Sequence, residues 1–310
     1  LIRCKKTSEA TAAIALPTGS REDGRRVAPS PWGKVRKGGI GMNTKRVLRI
    51  AALALALAAA ACSNVADRSP AWDLSRYRAV DLSYTFDEQT LYWPTDLPFH
   101  HEQKAWGVTE AGYWYSSFTF AGSEHGGTHL DAPIHFAEGK RTADQIPIEQ
   151  LMGEAAVIDI AARCEQDPDY TLQVTDIEAH EREHGLIPAD VIVLVRTGWG
   201  KHWPDKKAYL GTDVAGDVEN LHFPGISPEA AEFLVARGVA AVGIDTASID
   251  PGVSRDFRAH QILLGAQIPA LENVASLEAV PARGALVFAL PMKIGGGSGA
   301  PCRVVALIRK

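Results

Sequence analysis

The chain has 310 residues, 46% of them apolar and 22% charged, a balance that supports a full hydrophobic core. Lys and Arg number 32 against 37 Asp and Glu, leaving a formal net charge of −5, and no basic run or basic stripe with interleaved aromatics occurs. This pattern excludes a nucleic-acid binder and makes small molecules the expected partners.

Residues 1–41 are polar, rich in Gly, Arg and Lys, and lack apolar periodicity, so they are expected to be a non-native upstream or disordered segment. From Met42, the expected start, Lys45, Arg46 and Arg49 precede the apolar run Ile50 to Ala61 and then Cys62. Residues 42–62 have the layout of a signal peptide, and the run is too short to cross a bilayer, which takes about 20 residues. Ala58 to Ala61, Cys62 and Ser63 resemble a bacterial lipoprotein processing site, with Ala59 where such sites usually carry Leu. The expectation is export to the periplasm, with a lipid on Cys62 as the only membrane attachment; the alternative is an Ala-rich helix opening a cytosolic domain. Residues 63–76 read as a linker and 77–310 as one domain without internal repeats.

In that domain, Tyr77 to about Phe120 is rich in aromatics and short extended segments. Continuous apolar runs at 155–160, 191–195, 239–244, 285–289 and 304–308 predict strands buried on both faces. A helix is predicted from Thr175, with Glu178 completing a capping box, to Gly185, and another after Ser227, with Pro228 in its first turn and Gly238 past its end. Alternating strands and helices indicate an α/β class, and the extended N-terminal part favours a mixed sheet. Cys164 and Cys302 lie in no C-x-x-C pair, so a single disulfide and two separately buried thiols both remain open.

The segment from His125 to His135 places three His and one Asp in eleven positions. Gly126, Gly127 and Pro133 argue against a helix, and in an extended chain His129, Asp131 and His135 would point to one side. Converging imidazoles and a carboxylate suit a divalent metal, which lowers the pKa of a coordinated water towards about 7 and yields hydroxide at neutral pH. A Gly-rich turn with solvated His residues is the bland alternative. His180-Glu181-Arg182-Glu183-His184 matches the H-E-x-x-H pattern of zinc peptidases, but Gly185 ends the helix at once and the surroundings are highly charged, so a solvated helix face is expected. His260 and Glu272 could add ligands, against readings as a helix-surface His and a loop Glu. Asp245 and Asp250 could orient ligand histidines or cap turns.

His125-Gly-Gly-Thr-His129-Leu-Asp131-Ala-Pro-Ile-His135-Phe136 closely resembles the signature of the cyclase-like hydrolase family, which includes bacterial kynurenine formamidase and isatin hydrolase. Trp93-Pro94, Thr197-Gly198-Trp199, Phe223-Pro224-Gly225-Ile226-Ser227, the segment Gly243 to Asp250 and Leu290-Pro291-Met292-Lys293-Ile294 agree with it, over roughly 78–309. The resemblance implies a swivelling β/β/α domain, a mixed sheet flanked by helices, paired into homodimers. It implies up to two metal ions, Zn²⁺ or Mn²⁺: His125, His129 and Asp131 on one, Asp131 bridging, and His260 and Glu272 completing the second. His135 matches the family's proton-transferring His, and Trp93 an aromatic that packs on the substrate ring. The implied reaction is hydrolysis of an amide, lactam or lactone of a small aromatic or cyclic substrate, arylformamidase-like, with isatin-type lactam opening as the alternative. Trp106, Trp114 and Tyr115 would also suit a flat ring. A non-catalytic metal- or ligand-binding lipoprotein is the reading from another class.

Overall fold

The computed structural model describes residues 73–310; the expectations for 1–41, 42–62 and most of the 63–76 linker lie outside the described residues. The strands are β1 (Tyr77–Asp81), β2 (His100–Val108), β3 (Trp114–Ala121), β4 (His129–Asp131), β5 (Met152–Asp159), β6 (Thr171–Leu172), β7 (Ile192–Arg196), β8 (Gly225–Ile226), β9 (Ala241–Ile244), β10 (Ala270–Glu272), β11 (Ala285–Pro291) and β12 (Gly299–Arg309). The α-helices are α1 (Ala161–Cys164), α2 (Val174–His184), α3 (Lys206–Leu210), α4 (Pro228–Arg237) and α5 (Arg258–Gly265). Among the described residues, no helix is long and apolar enough to cross a membrane.

The fold is mixed α/β. Its main sheet runs β1-β12-β11-β5-β7-β9-β10-β4, and β4 pairs back onto β12, so seven strands close into a ring with β1 attached outside it. The β5–β7, β7–β9 and β9–β10 pairings are parallel and the others antiparallel. Every ring strand sends side chains into one apolar cluster that fills the interior, among them Leu130, Val157, Leu194, Ala241, Leu271, Val287 and Val304. The alternate residues Ile158, Val193 and Val195 face outward and pack with Ile177 of α2, Leu234 of α4 and Leu263 of α5. Burial on both faces is why these strands read as continuous apolar runs rather than alternating ones.

The α4 helix begins and ends as the sequence predicts, with Ser227 Oγ accepting from Ala230 N and Gly238 left-handed beyond the end. The α2 helix starts before Thr175: Asp176, not Glu178, reaches back, and its Oδ2 accepts from Gln173 N at 2.9 Å. The solvated-face reading of this helix needs correction as well, since His180 and Glu181 are buried. Glu181 accepts Arg237 Nη2 at 2.6 Å and Ile187 N at 3.0 Å, so its carboxylate ties α2 to α4. Cys164 and Cys302 are separate buried thiols in the outer and inner clusters, and burial pushes both up to about 12.

The ends of β7 and β9 are joined by one carboxylate. Buried Asp245 accepts from Thr197 N at 2.8 Å, from the Thr197 hydroxyl and from Gly198 N at 2.9 Å. It therefore has a tying role, not contact with a candidate ligand. Asp245→Asn would set an amide NH₂ against one of these donors, leaving a buried N–H unpaired at about 1 to 3 kcal/mol. The expected result is a Tm lower by about 3 to 9 °C in a thermal melt; an unchanged Tm would refute the tie.

Candidate active site

The candidate site lies on the outer face of the ring, where β4 and β10 meet α5. Leu130 and Leu271 point into the interior, so the period of two along each strand turns His129, Asp131 and Glu272 to the opposite side. Glu272 stands directly across from His129 in the antiparallel register, on a strand and not in a loop. His260 enters from the first turn of α5 and is buried, not on the helix surface. His135 does not continue the strand: Pro133 starts a 3₁₀ turn, Pro133–His135, that lifts it out of the β4 line. Its ring stacks on His125 with centroids 3.9 Å apart.

Two donor groups result, His125 with His129 and Asp131, and Asp131 with His260 and Glu272, each compact enough to hold one ion. Asp131 Oδ1 lies 2.7 Å from His125 Nδ1 and 3.2 Å from His129 Nε2, while its Oδ2 lies 3.1 Å from His260 Nε2. Glu272 reaches His129 Nε2 at 3.4 Å and His260 Nε2 at 3.2 Å. Of the two aspartates weighed as supports, Asp250 has that role: its Oδ2 lies 2.6 Å from His260 Nδ1, and its carboxylate also accepts the Ala259 and His260 N–H groups at the start of α5.

The electrostatics call for a cation. Asp131 and Glu272 are buried, and among the described residues no Lys or Arg pairs with either. Burial disfavours a proton on His129, but the two facing carboxylates outweigh it and hold that imidazole at about 10. Burial likewise opposes a charge on His260, and Asp131, Asp250 and Glu272 push it well above the ordinary range. Burial alone would raise Asp131, yet the surrounding imidazoles hold it well below the carboxylate norm. Among the described residues His129 Nε2 is buried with the two carboxylates near it but no hydrogen bond in good geometry, a nitrogen of the kind a metal satisfies. Nitrogen and oxygen donors of this type fit a divalent transition ion. His135 differs: burial pushes it down to about 4, so its ring is neutral at pH 7 and a weaker base than a free imidazole.

These residues form one side of a cavity of about 250 Å³ that is also lined by Trp93, Phe136 and Phe257. Trp93 is therefore at the site, 6.0 Å from Phe257 by ring centroids. Trp106, Trp114 and Tyr115 are not; they lie exposed on the separate β2–β3 hairpin. His180 and His184 belong to neither donor group. Phe257 sits at φ 51, a conformation a bulky residue adopts only under constraint, immediately before α5 and beside the cavity. Gly126 is required by close approach, because a Cβ there would lie 2.0 Å from the Tyr92 ring. Sequence reasoning missed Glu124, Asn273, Phe257 and Ser298. Glu124 and Asn273 adjoin His125 and Glu272, and Ser298 is the one side chain in the run Gly295 to Gly299, so adjacency and glycine density were the available signals.

A mixed α/β ring carrying a buried, metal-competent set of imidazoles and carboxylates beside an aromatic-lined cavity defines the class. The chain belongs to the cyclase family: the family model described as putative cyclase matches residues 80–251. Isatin hydrolase of Roseibium aggregatum is 36% identical over 195 residues, 60% of this chain and 73% of that protein. Kynurenine formamidase of Salinibacter ruber is 30% identical over 235 residues, 73% of this chain and 95% of the relative. The solved structure of isatin hydrolase A from Ralstonia solanacearum superimposes with a TM-score of 0.70 at 32% identity, covering 84% of this chain and 97% of that one.

Proposed function

We propose that this chain is a metal-dependent hydrolase that cleaves a C–N or C–O bond of a small aromatic or cyclic amide, lactam or lactone. One observation carries the reading: five donor residues from three separate segments converge in two groups that share Asp131, beside an aromatic cavity. His125, His129, Asp131, His260 and Glu272 would hold one or two ions, zinc or manganese. A bound ion would lower the pKa of a water towards about 7 and polarise the substrate carbonyl. Trp93, Phe136 and Phe257 would seat a flat ring and exclude water. A ring nitrogen of His135 would take up a proton and return it to the departing nitrogen or oxygen.

Among substrates, an isatin-type lactam is the first to test and an aryl formamide the second. The likeness to isatin hydrolase in both sequence and structure supports that order. The test is hydrolysis of isatin and N-formylkynurenine by the purified protein with Zn²⁺, Mn²⁺ or a chelator. The expected result is turnover of at least one, abolished by the chelator; chelator-resistant turnover would refute the metal reading. We further propose a swivelling β/β/α domain that pairs into homodimers, exported through residues 42–62, with a lipid on Cys62 as its membrane attachment.

A further inference from the structure

The hydrogen bonds around His125 determine which ring nitrogen faces the cluster. Glu124 Oε2 receives Ser298 N at 2.8 Å and Gly299 N at 3.2 Å. Backbone N–H groups only donate, so this oxygen is an acceptor. The Ser298 hydroxyl, 2.8 Å from the same oxygen, must point its single hydrogen at it. Ser298 Oγ is then left with lone pairs only, and His125 Nε2, 2.8 Å away, can bond to it only as an N–H donor. With Nε2 committed as a donor, Nδ1 is the ring nitrogen left to offer a lone pair to an ion, and it is the atom 2.7 Å from Asp131 Oδ1.

The other two imidazoles are held in the opposite sense. His129 Nδ1 lies 2.9 Å from Gly127 O and His260 Nδ1 lies 2.6 Å from Asp250 Oδ2, so both turn Nε2 to the cluster. The backbone is shaped around the His125 arrangement. A Cβ at Gly299 would lie 2.5 Å from His125 Cε1. Ser298 O also accepts Ala132 N at 2.8 Å, which anchors the loop to the chain just past β4.

We propose that Glu124 and Ser298 are positioning residues, a carboxylate–hydroxyl relay that sets the His125 tautomer and presents Nδ1 to the metal. The proposal rests on the metal reading above. Groups that orient a metal-ligating His in this way are commonly worth about 10- to 100-fold in metal affinity.

The test is zinc affinity of the full chain, measured by competition with a chromophoric chelator, for the wild type, Ser298→Ala and Glu124→Gln. Ser298→Ala is expected to raise the zinc Kd by about 10- to 100-fold with an unchanged melting temperature in the absence of zinc. Glu124→Gln should raise it less, because the amide oxygen can still accept. A second readout needs no variant: nitrogen NMR of the zinc-loaded wild type labelled in His should show one metal-bound imidazole protonated on Nε2 and the others on Nδ1. A wild-type Kd in Ser298→Ala, or Nδ1 protonation of every metal-bound imidazole, would overturn the relay. A wild-type chain that binds neither zinc nor manganese in the same competition would overturn the metal reading itself, and the relay with it.

Discussion

Asp131→Asn is expected to abolish metal retention and to lower hydrolytic turnover by about 10³-fold or more. Asp131 alone belongs to both donor groups, with one oxygen toward His125 and His129 and the other toward His260. The amide removes the negative charge and turns an NH₂ toward at least one imidazole. Metal-ion contributions to hydrolysis amount to several kcal/mol, and each 1.36 kcal/mol is tenfold in rate, which sets the expected loss. Metal content by emission spectroscopy and steady-state rates on the responsive substrate measure it together. A variant that keeps both its metal and its rate would show that the shared carboxylate is not the hinge of the site.

His135→Gln is expected to separate the two quantities that Asp131→Asn couples. His135 lines the cavity and stacks on His125, yet it belongs to neither donor group. Its place between the donor groups and the cavity, not its basicity, is what suits it to proton transfer, and general acid–base catalysis by a positioned side chain contributes about 10² to 10⁴ in rate. The variant should keep the wild-type metal content and lose turnover by that factor. A metal-replete variant with full activity would remove the proton-transfer role; a variant that loses its metal would reassign His135 to holding the cluster.

Much of this was legible in the chain before the structure. The strands β5, β7 and β9 announced themselves because strands covered on both faces need unbroken apolar runs; β11 and β12 were found by the same runs although their burial alternates, and α4 because its Ser, Pro and Gly sit where capping chemistry requires them. The strand β4 was legible only as an extended stretch that puts His129 and Asp131 on one side, and β10 not at all, since three residues carry no period and both form by pairing with each other and with their longer neighbours. Their shortness also explains why Glu272 reads as a loop residue. The candidate ligands were readable from the density of His and Asp, whereas Ser298 was not, because its role arises from a contact across 173 positions of sequence. His180 misled in the other direction: a charged neighbourhood in sequence conceals that its face of α2 is covered.

The closure of the ring by β12 sets an order of events in the life of the protein. Gly299 to Pro301 pair with Asp131 to His129, and Ser298 bonds to His125, so part of the frame around these ligands comes from residues that follow every candidate ligand in the chain. A ribosome-bound chain holding every candidate ligand through Glu272 would still lack the strand that fixes them. Pairings of such long sequence separation form slowly, because loop closure must precede the contacts that reward it. A molecule cut before β12 would keep every candidate ligand without the strand that closes the ring beside them.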